Sequence, residues 1–364
     1  MSAAAEFGRG LRALRTSAGL TQAALGRLLG YHHSLISKVE AGTRRPPPDL
    51  AGRCARLLGD HSLLPLWSAL EDERRAGPGD VVAALTGVLA AYERFNDGFG
   101  GVPLIPALEG QLRTVTAWLA ADADPALPGL AAGLAFRCGW ARVENGQHRA
   151  GTTWLTRSVG WARAAHDRTT AGTALTYLGV VALVEGRPGP AGRLAARARA
   201  EAPGDTTVDF LASLLESRAH AANDADTSCR RALDRAERLS TDLRALPPRH
   251  GLMLLDAGKA ACFRDLAVRR GAPALARRAV EHAREALRRT PVDSRPSRAL
   301  FTVRLADAYA CAAEPESAVA AAEPTVDAPW GGDLVRRELA GLKRRLVARW
   351  GRVREVRRFA DLIP

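Results

Sequence analysis

His32, His33, Ser34, Ser37 and Lys38 fall within seven residues of one another. They could carry recognition chemistry. On a helix running from about Ser34 to Glu40, Leu35, Ile36 and Val39 are the apolar positions, which leaves these five polar residues to share the opposite, outward face. Imidazole, hydroxyl and ammonium groups together supply donors and acceptors that can pair with a structured polar partner. The adjacent histidines do not form a metal site: neighbours on a helix point about 100° apart, and neither Cys nor a carboxylate lies at ligand spacing. No metal or other cofactor is expected.

The elements around this stretch must hold it in place. Thr21 is a suitable N-cap for a helix beginning at Gln22, because its hydroxyl can accept from a free first-turn N–H. Ala24, Leu25, Leu28 and Leu29 recur at spacings of three and four and predict one apolar face. Gly30 then ends the helix, where a left-handed conformation is cheapest without a side chain. Phe7, Leu11 and Leu14 predict an amphipathic helix before the pair, and Leu50, Cys54, Leu57 and Leu58 one after it. Leu63, Leu64, Leu66, Trp67 and Leu70 extend this domain by a further helix. The charged run Glu71 to Arg75 and the Gly77-Pro78-Gly79 break follow.

From Phe7 to Gly59 this pattern resembles the helix-turn-helix of the lambda-repressor and Cro type, the XRE family. The resemblance is carried by Leu20-Thr21-Gln22, Leu25, Leu29-Gly30, Ile36-Ser37, Glu40-Ala41-Gly42 and Arg44-Arg45-Pro46. In that family the second helix of the pair lies in the major groove of double-stranded DNA and the first crosses the backbone. The resemblance implies that His33, Ser34 and Lys38 face bases, with His32 and Ser37 beside them. It also implies that Gln22, Arg44 and Arg45 hold phosphates, and that Arg15 pairs with Glu40 to clamp the leading helix to the end of the recognition helix. A homodimer on two half-sites is expected on the same ground. The sequence departs from the family at His32, where a small capping serine or threonine is usual.

Length and charge set the frame. A chain of 364 residues needs at least one further core beyond a helix-turn-helix domain. The net charge of +13 favours polyanionic partners. Residues 1–60 and 333–364 carry most of that excess, and the long middle is nearly balanced. Cys54, Cys138, Cys229, Cys262 and Cys311 are scattered and odd in number, which fits buried reduced thiols rather than disulfides or a zinc site. No secretory signal or membrane span is expected: the first residues reach Arg9 without an apolar core, and the longest uncharged run, Thr169 to Val184, is too short to span. A cytoplasmic protein, nucleoid-associated when bound to DNA, is the expectation. HExxH, GxSxG and P-loop patterns are absent, so no enzymatic activity is expected.

Beyond the break, the expected organisation is a helix-turn-helix domain at 1–75, a hinge and linker helix at 76–103, and an all-α solenoid at 104–364. Turn residues recur at Gly146, Gly186, Asn223-Asp224, Gly271 and Ala313-Glu314, an interval of about 40 residues that predicts stacked helix pairs. Leu175, Leu178-Gly179, Ala182, Gly186, Ala191, Ala195, Ala198 and Pro203 form a unit that resembles the tetratricopeptide repeat. A last helix striped with Val335, Leu339, Leu342, Leu346, Trp350 and Val353 is expected to cap the stack. Trp118, Trp140, Trp154, Trp161 and Tyr177 are candidates to line a ligand groove for a peptide, small molecule or protein, with packing in the core as the competing reading. Regulators with both halves commonly use such repeats to dimerise and to sense peptides. The alternative is a protein-binding scaffold or antitoxin-like partner whose helix-turn-helix only regulates its own gene.

Overall fold

The computed structural model describes residues 3–75, 78–121, 124–243, 246, 248–328 and 332–363, and among them every regular element is helical. Two compact units, Met1–Ala84 and Leu85–Pro364, make up the chain.

The first unit is built from α1 (Ala3–Ser17), α2 (Gln22–Leu29), α3 (His33–Glu40), α4 (Leu50–Leu58) and α5 (Leu63–Arg75). Phe7 and Leu11 of α1, Leu25 and Leu29 of α2, Ile36 and Val39 of α3, Leu50 and Cys54 of α4, and Leu63 and Leu70 of α5 converge in one core. Trp67 meets Phe7 edge-on at 6.2 Å. Leu28 and Leu57, expected on the apolar faces, are instead exposed. On the eight-residue α2 the buried arc runs through Leu25, Gly26 and Leu29, and this turns Leu28 outward. α1 can sit directly on the end of α3 because Gly8 has no side chain: a Cβ there would stand 2.4 Å from the Val39 carbonyl oxygen.

The expected break at Gly77-Pro78-Gly79 is described only from Pro78, since Gly77 lies outside the described residues. Pro78 opens α6 (Pro78–Phe99), where its missing N–H costs nothing. The division between the units, at Ala84 and Leu85, falls inside this helix.

In the second unit α7 (Ile105–Ala120) precedes a run of antiparallel pairs: α8 (Leu127–Glu144) with α9 (His148–Ala164), α10 (Arg168–Val184) with α11 (Pro188–Glu201), α12 (Thr206–Ala222) with α13 (Asp226–Leu239), α14 (Pro248–Arg270) with α15 (Pro273–Arg289), and α16 (Arg295–Cys311) with α17 (Pro315–Ala322). This is a tetratricopeptide-like α-solenoid. The expected turn positions are the reversals within the pairs, each holding a residue in the left-handed region: Gly146, Gly186, Asp224, Gly271 and Ala313. Small residues let the partners close up. A Cβ on Gly151 of α9 would lie 2.8 Å from the Gly139 carbonyl oxygen of α8, so the two backbones nearly touch.

The first helix of each pair packs on the first helix of the next, so α8, α10, α12, α14 and α16 form a continuous inner row that continues into α18 (Gly332–Trp350). This row curls until α18 meets α8. Val335, Leu339, Leu342 and Leu346 of α18 are buried as expected. The chain then turns at Gly351–Val353 and adds α19 (Arg354–Leu362), which the sequence pattern did not separate from α18. Val356 and Phe359 of α19 are fully buried in the terminal core.

Charged residues tie the inner row together. Buried Asp307 of α16 accepts from Arg345 of α18 at 2.8 Å and pairs with Arg264 of α14 at 3.2 Å, while Arg304 pairs with Glu338 at 3.2 Å. Burial lowers the affinity of the Arg264 guanidinium for its proton, yet the carboxylates of Asp265, Asp307 and Glu338 outweigh this and hold it firmly charged. Removing one member of a buried pair leaves the other charge uncompensated. Asp307→Ala should therefore cost the repeat unit ~3–5 kcal/mol, measured by chemical denaturation, with the unfolding of the first unit unchanged.

Candidate nucleic-acid interface

Each polar residue of the outward face owes its position to local backbone chemistry. The Thr21 hydroxyl accepts from the Ala24 N–H at 3.1 Å and starts α2. Gly30, with φ of 70°, ends it, and the Tyr31 N–H donates to the Gly26 carbonyl at 2.8 Å to close the turn. His32 caps α3. Its Nδ1 accepts from the Ser34 N–H at 3.4 Å and lies 2.8 Å from the Ser34 hydroxyl. An imidazole thus does the work of the serine or threonine usual at this place, and α3 begins at His33.

His33, Ser34 and Lys38 are exposed, and Ser37 is half-buried. The pairs His33/Ser37 and Ser34/Lys38 are four apart and so share one side of the helix. His32 is exposed as well, but its Nδ1 is committed to the cap, which leaves Nε2 as the outward donor. At the other end of α3 the Lys38 carbonyl accepts from the Thr43 N–H (3.0 Å), the Thr43 hydroxyl (3.1 Å) and the Arg44 N–H (3.1 Å), folding the exit chain back on the helix end. Arg44 projects from this turn and is exposed.

Three residues named from the family resemblance share one cluster behind that face. Arg15 Nε donates to Glu40 Oε1 at 2.6 Å, Arg15 Nη2 donates to Glu40 Oε2 at 3.0 Å, and Gln22 Nε2 donates to Glu40 Oε2 at 2.8 Å. Arg15 Nη1 also donates to the Leu20 carbonyl at 2.7 Å, which fixes the chain entering α2. Burial pushes the Glu40 carboxyl up, but the hydrogen bonds from Arg15 and Gln22 and the nearby guanidinium charge outweigh it and hold the carboxyl below its usual range. Gln22 thus ties α2 to α3 instead of standing free for a phosphate. Arg45 is likewise engaged, its Nη2 donating to the Leu70 carbonyl of α5 at 2.5 Å. Neither bond has a local sequence signal, because the partners are 18 and 25 residues apart.

A second polar cluster was not expected. The Tyr31 hydroxyl donates to Asp49 Oδ1 at 2.5 Å, Arg53 reaches Asp49 Oδ2 at 3.3 Å, and the Arg53 guanidinium lies over the Tyr31 ring. It pins the turn before α3 to the start of α4.

The aromatic residues proposed to line a groove do not form one surface. Trp140 of α8 and Tyr177 of α10 meet edge-on at 4.8 Å, and Tyr177 also meets Phe136 at 4.8 Å, all within the inner row. Trp154 and Trp161 lie on α9, the outer helix of its pair; Trp154 carries the Arg157 guanidinium over its ring and Trp161 packs on Ala132, Ala162 and Ala171. Trp118 is half-buried on α7. Helix alternation separates them, since consecutive helices of a stack face opposite sides. Among the described residues no group of His, Cys, Asp and Glu is arranged to hold a metal, and no helix is long and apolar enough to cross a membrane.

Residues 6–60 match the family model of the helix-turn-helix domain. The first unit is a helix-turn-helix unit. No curated protein matches the chain. A solved structure, Bacillus thuringiensis PlcR in complex with the peptide PapR7 and DNA, is 12% identical, with a TM-score of 0.34, over 78% of this chain and 95% of that one.

The Glu40 cluster sets a pH dependence for this helix-turn-helix unit. A carboxyl whose native pKa is depressed adds stability above its unfolded value of about 4.3, and that stability is lost as pH falls through the lower native value. Glu40→Gln should therefore lower the stability of the helix-turn-helix unit at pH 7 by ~3 kcal/mol. The difference from the natural protein should shrink as both are acidified through that range, followed by circular dichroism in denaturant. A constant difference at all pH values would show that the charge of Glu40 contributes nothing.

Proposed function

We propose that this chain is a sequence-specific, DNA-binding transcriptional regulator of the XRE, Cro-like kind that acts as a homodimer in the cytoplasm, with the solenoid as its ligand-sensing and dimerising half. No catalytic step is part of this reading. The observation that carries it is the contrast across α3: His33, Ser34 and Lys38 stand exposed on one side, while Ile36, Val39 and Glu40 are buried on the other. A helix held rigidly from behind can present side chains to base edges without ordering itself on binding. Arg44, exposed beside the end of α3, would take a phosphate in this reading. Gln22 and Arg45 would share that role through whatever donors their internal bonds leave free.

Two half-sites about 10 base pairs apart would suit a symmetric pair of such helices. Trp140 and Tyr177 on the inner row support a receptor role for the solenoid, since this is the side that successive repeats share. A peptide or another small ligand is the class of effector proposed.

Selection of binding sites from random duplex DNA by the full-length protein, at two salt concentrations, tests the reading. The expected result is a palindromic motif whose recovery survives the higher salt; salt-sensitive binding with no motif would sink it. Lys38→Ala should cost ~1–3 kcal/mol on the selected site and relax its sequence preference. Arg44→Ala should instead weaken all sequences alike and reduce the slope of affinity against salt by about one. Band-shift titrations across a salt series distinguish the two.

A further inference from the structure

The inner helices of the five pairs can be laid in register by the left-handed residue that follows each of them: Gly146, Gly186, Asp224, Gly271 and Ala313. Six places before it stand Trp140, Val180, Arg218, Asp265 and Asp307. Helices stacked side by side in the same direction carry equivalent positions along one line. This line is apolar at one end and charged at the other, and Arg218 of α12 is where it changes.

The charges beyond Arg218 are paired with one another. Arg264 lies 2.7 Å from Asp265 and 3.2 Å from Asp307, and Arg345 donates to Asp307 at 2.8 Å. Glu338 of α18 accepts from Arg304 at 3.2 Å and has Arg264 at 4.0 Å. Arg218 has no such partner among the described residues, and its Nε is closed off from water with nothing to donate to. Its charge nevertheless reaches across the curl of the row, acting on Arg304 of α16 and on Glu338 of α18. Four guanidinium groups, of Arg218, Arg264, Arg304 and Arg345, thus share three carboxylates, of Asp265, Asp307 and Glu338. The excess is felt at Arg304. Burial, with the charges of Arg218 and Arg264, holds that guanidinium below the usual arginine range against the pull of Glu338.

A half-buried guanidinium without a carboxylate is costly, and it is complementary to one supplied from outside. Trp140 and Val180, also half-buried, put apolar surface on the same line, and Tyr177 meets Trp140 at 4.8 Å. Apolar surface that ends in an unpaired positive charge suits an apolar body ending in a carboxylate.

We propose that the inner row binds an apolar ligand by its carboxylate, either a small organic acid or the C-terminal residue of a peptide, with Arg218 as the receiving group. This gives a chemical class to the effector of the proposed regulator and rests on the solenoid being a receptor. The test contains no DNA, so its failure leaves the reading of the helix-turn-helix untouched.

Calorimetric titration of the full-length protein with hexanoate against hexan-1-ol, and with N-acetylphenylalanine against its neutral amide, examines both sources. The carboxylate of at least one pair should bind at least about tenfold tighter than its neutral counterpart, as for a hydrogen bond between charged groups. The pair with the larger preference identifies the source. Arg218→Gln should erase that preference. Absence of binding by both carboxylates, equal binding within both pairs, or an undiminished preference in Arg218→Gln would overturn the proposal. If Arg218→Gln does not fold, Arg218→Lys, which keeps the charge but loses the two-pronged donor, should reduce the preference; an undiminished preference there would overturn it as well.

Discussion

Glu40 is the group on which the helix-turn-helix unit depends. It sits at the end of α3 with its carboxylate almost wholly withdrawn from water, a placement tolerable only because three donors meet it. Those donors come from the two elements that α3 must be held against: Arg15 from the end of α1 and Gln22 from the start of α2. Arg15 also holds the Leu20 carbonyl, so a single guanidinium joins the leading helix, the entrance of α2 and the end of α3. The hydrophobic core gives the unit cohesion, but apolar contacts are non-directional. Directional bonds to one buried carboxylate fix the angle at which α3 presents its outward face.

The solenoid solves a different problem. No helix pair in it encloses a core by itself, so each must find apolar surface on the next. Close approach within pairs comes from glycine and alanine at the crossing points, as at Gly139 and Gly151. Along the inner row, where larger polar residues face one another, cohesion comes from paired charges such as Arg264, Asp307 and Arg345. Such pairs add little net stability against apolar replacements but are intolerant of mismatch, which suits a surface whose register must be kept.

Much of this was legible in the residues. The helix-turn-helix could be read because its signals are local: Thr21 caps, Gly30 reverses, and the apolar residues of α3 recur within two turns of helix. The repeat could be read for the same reason, since a left-handed turn residue marks the reversal within each pair whether it is glycine, Asp224 or Ala313. The pattern failed where burial is decided by neighbours far away in sequence. Leu28 and Leu57 look like core residues and are exposed; α19 looks like a continuation of α18 and is a separate helix. The five aromatics near the first repeats look like a set, but alternation of inner and outer helices distributes them to different sides.

The sequence by itself determined the helices, their caps and reversals, and the polar character of the outward face of α3, because propensity, capping and periodicity act within a few residues of the chain. Only the tertiary structure decided that Gln22 bonds to Glu40 and Arg45 to the Leu70 carbonyl, and that Trp140 and Tyr177 meet. Each of these is an encounter between groups many residues apart, and which partner a polar side chain finds is fixed by the packing of whole helices.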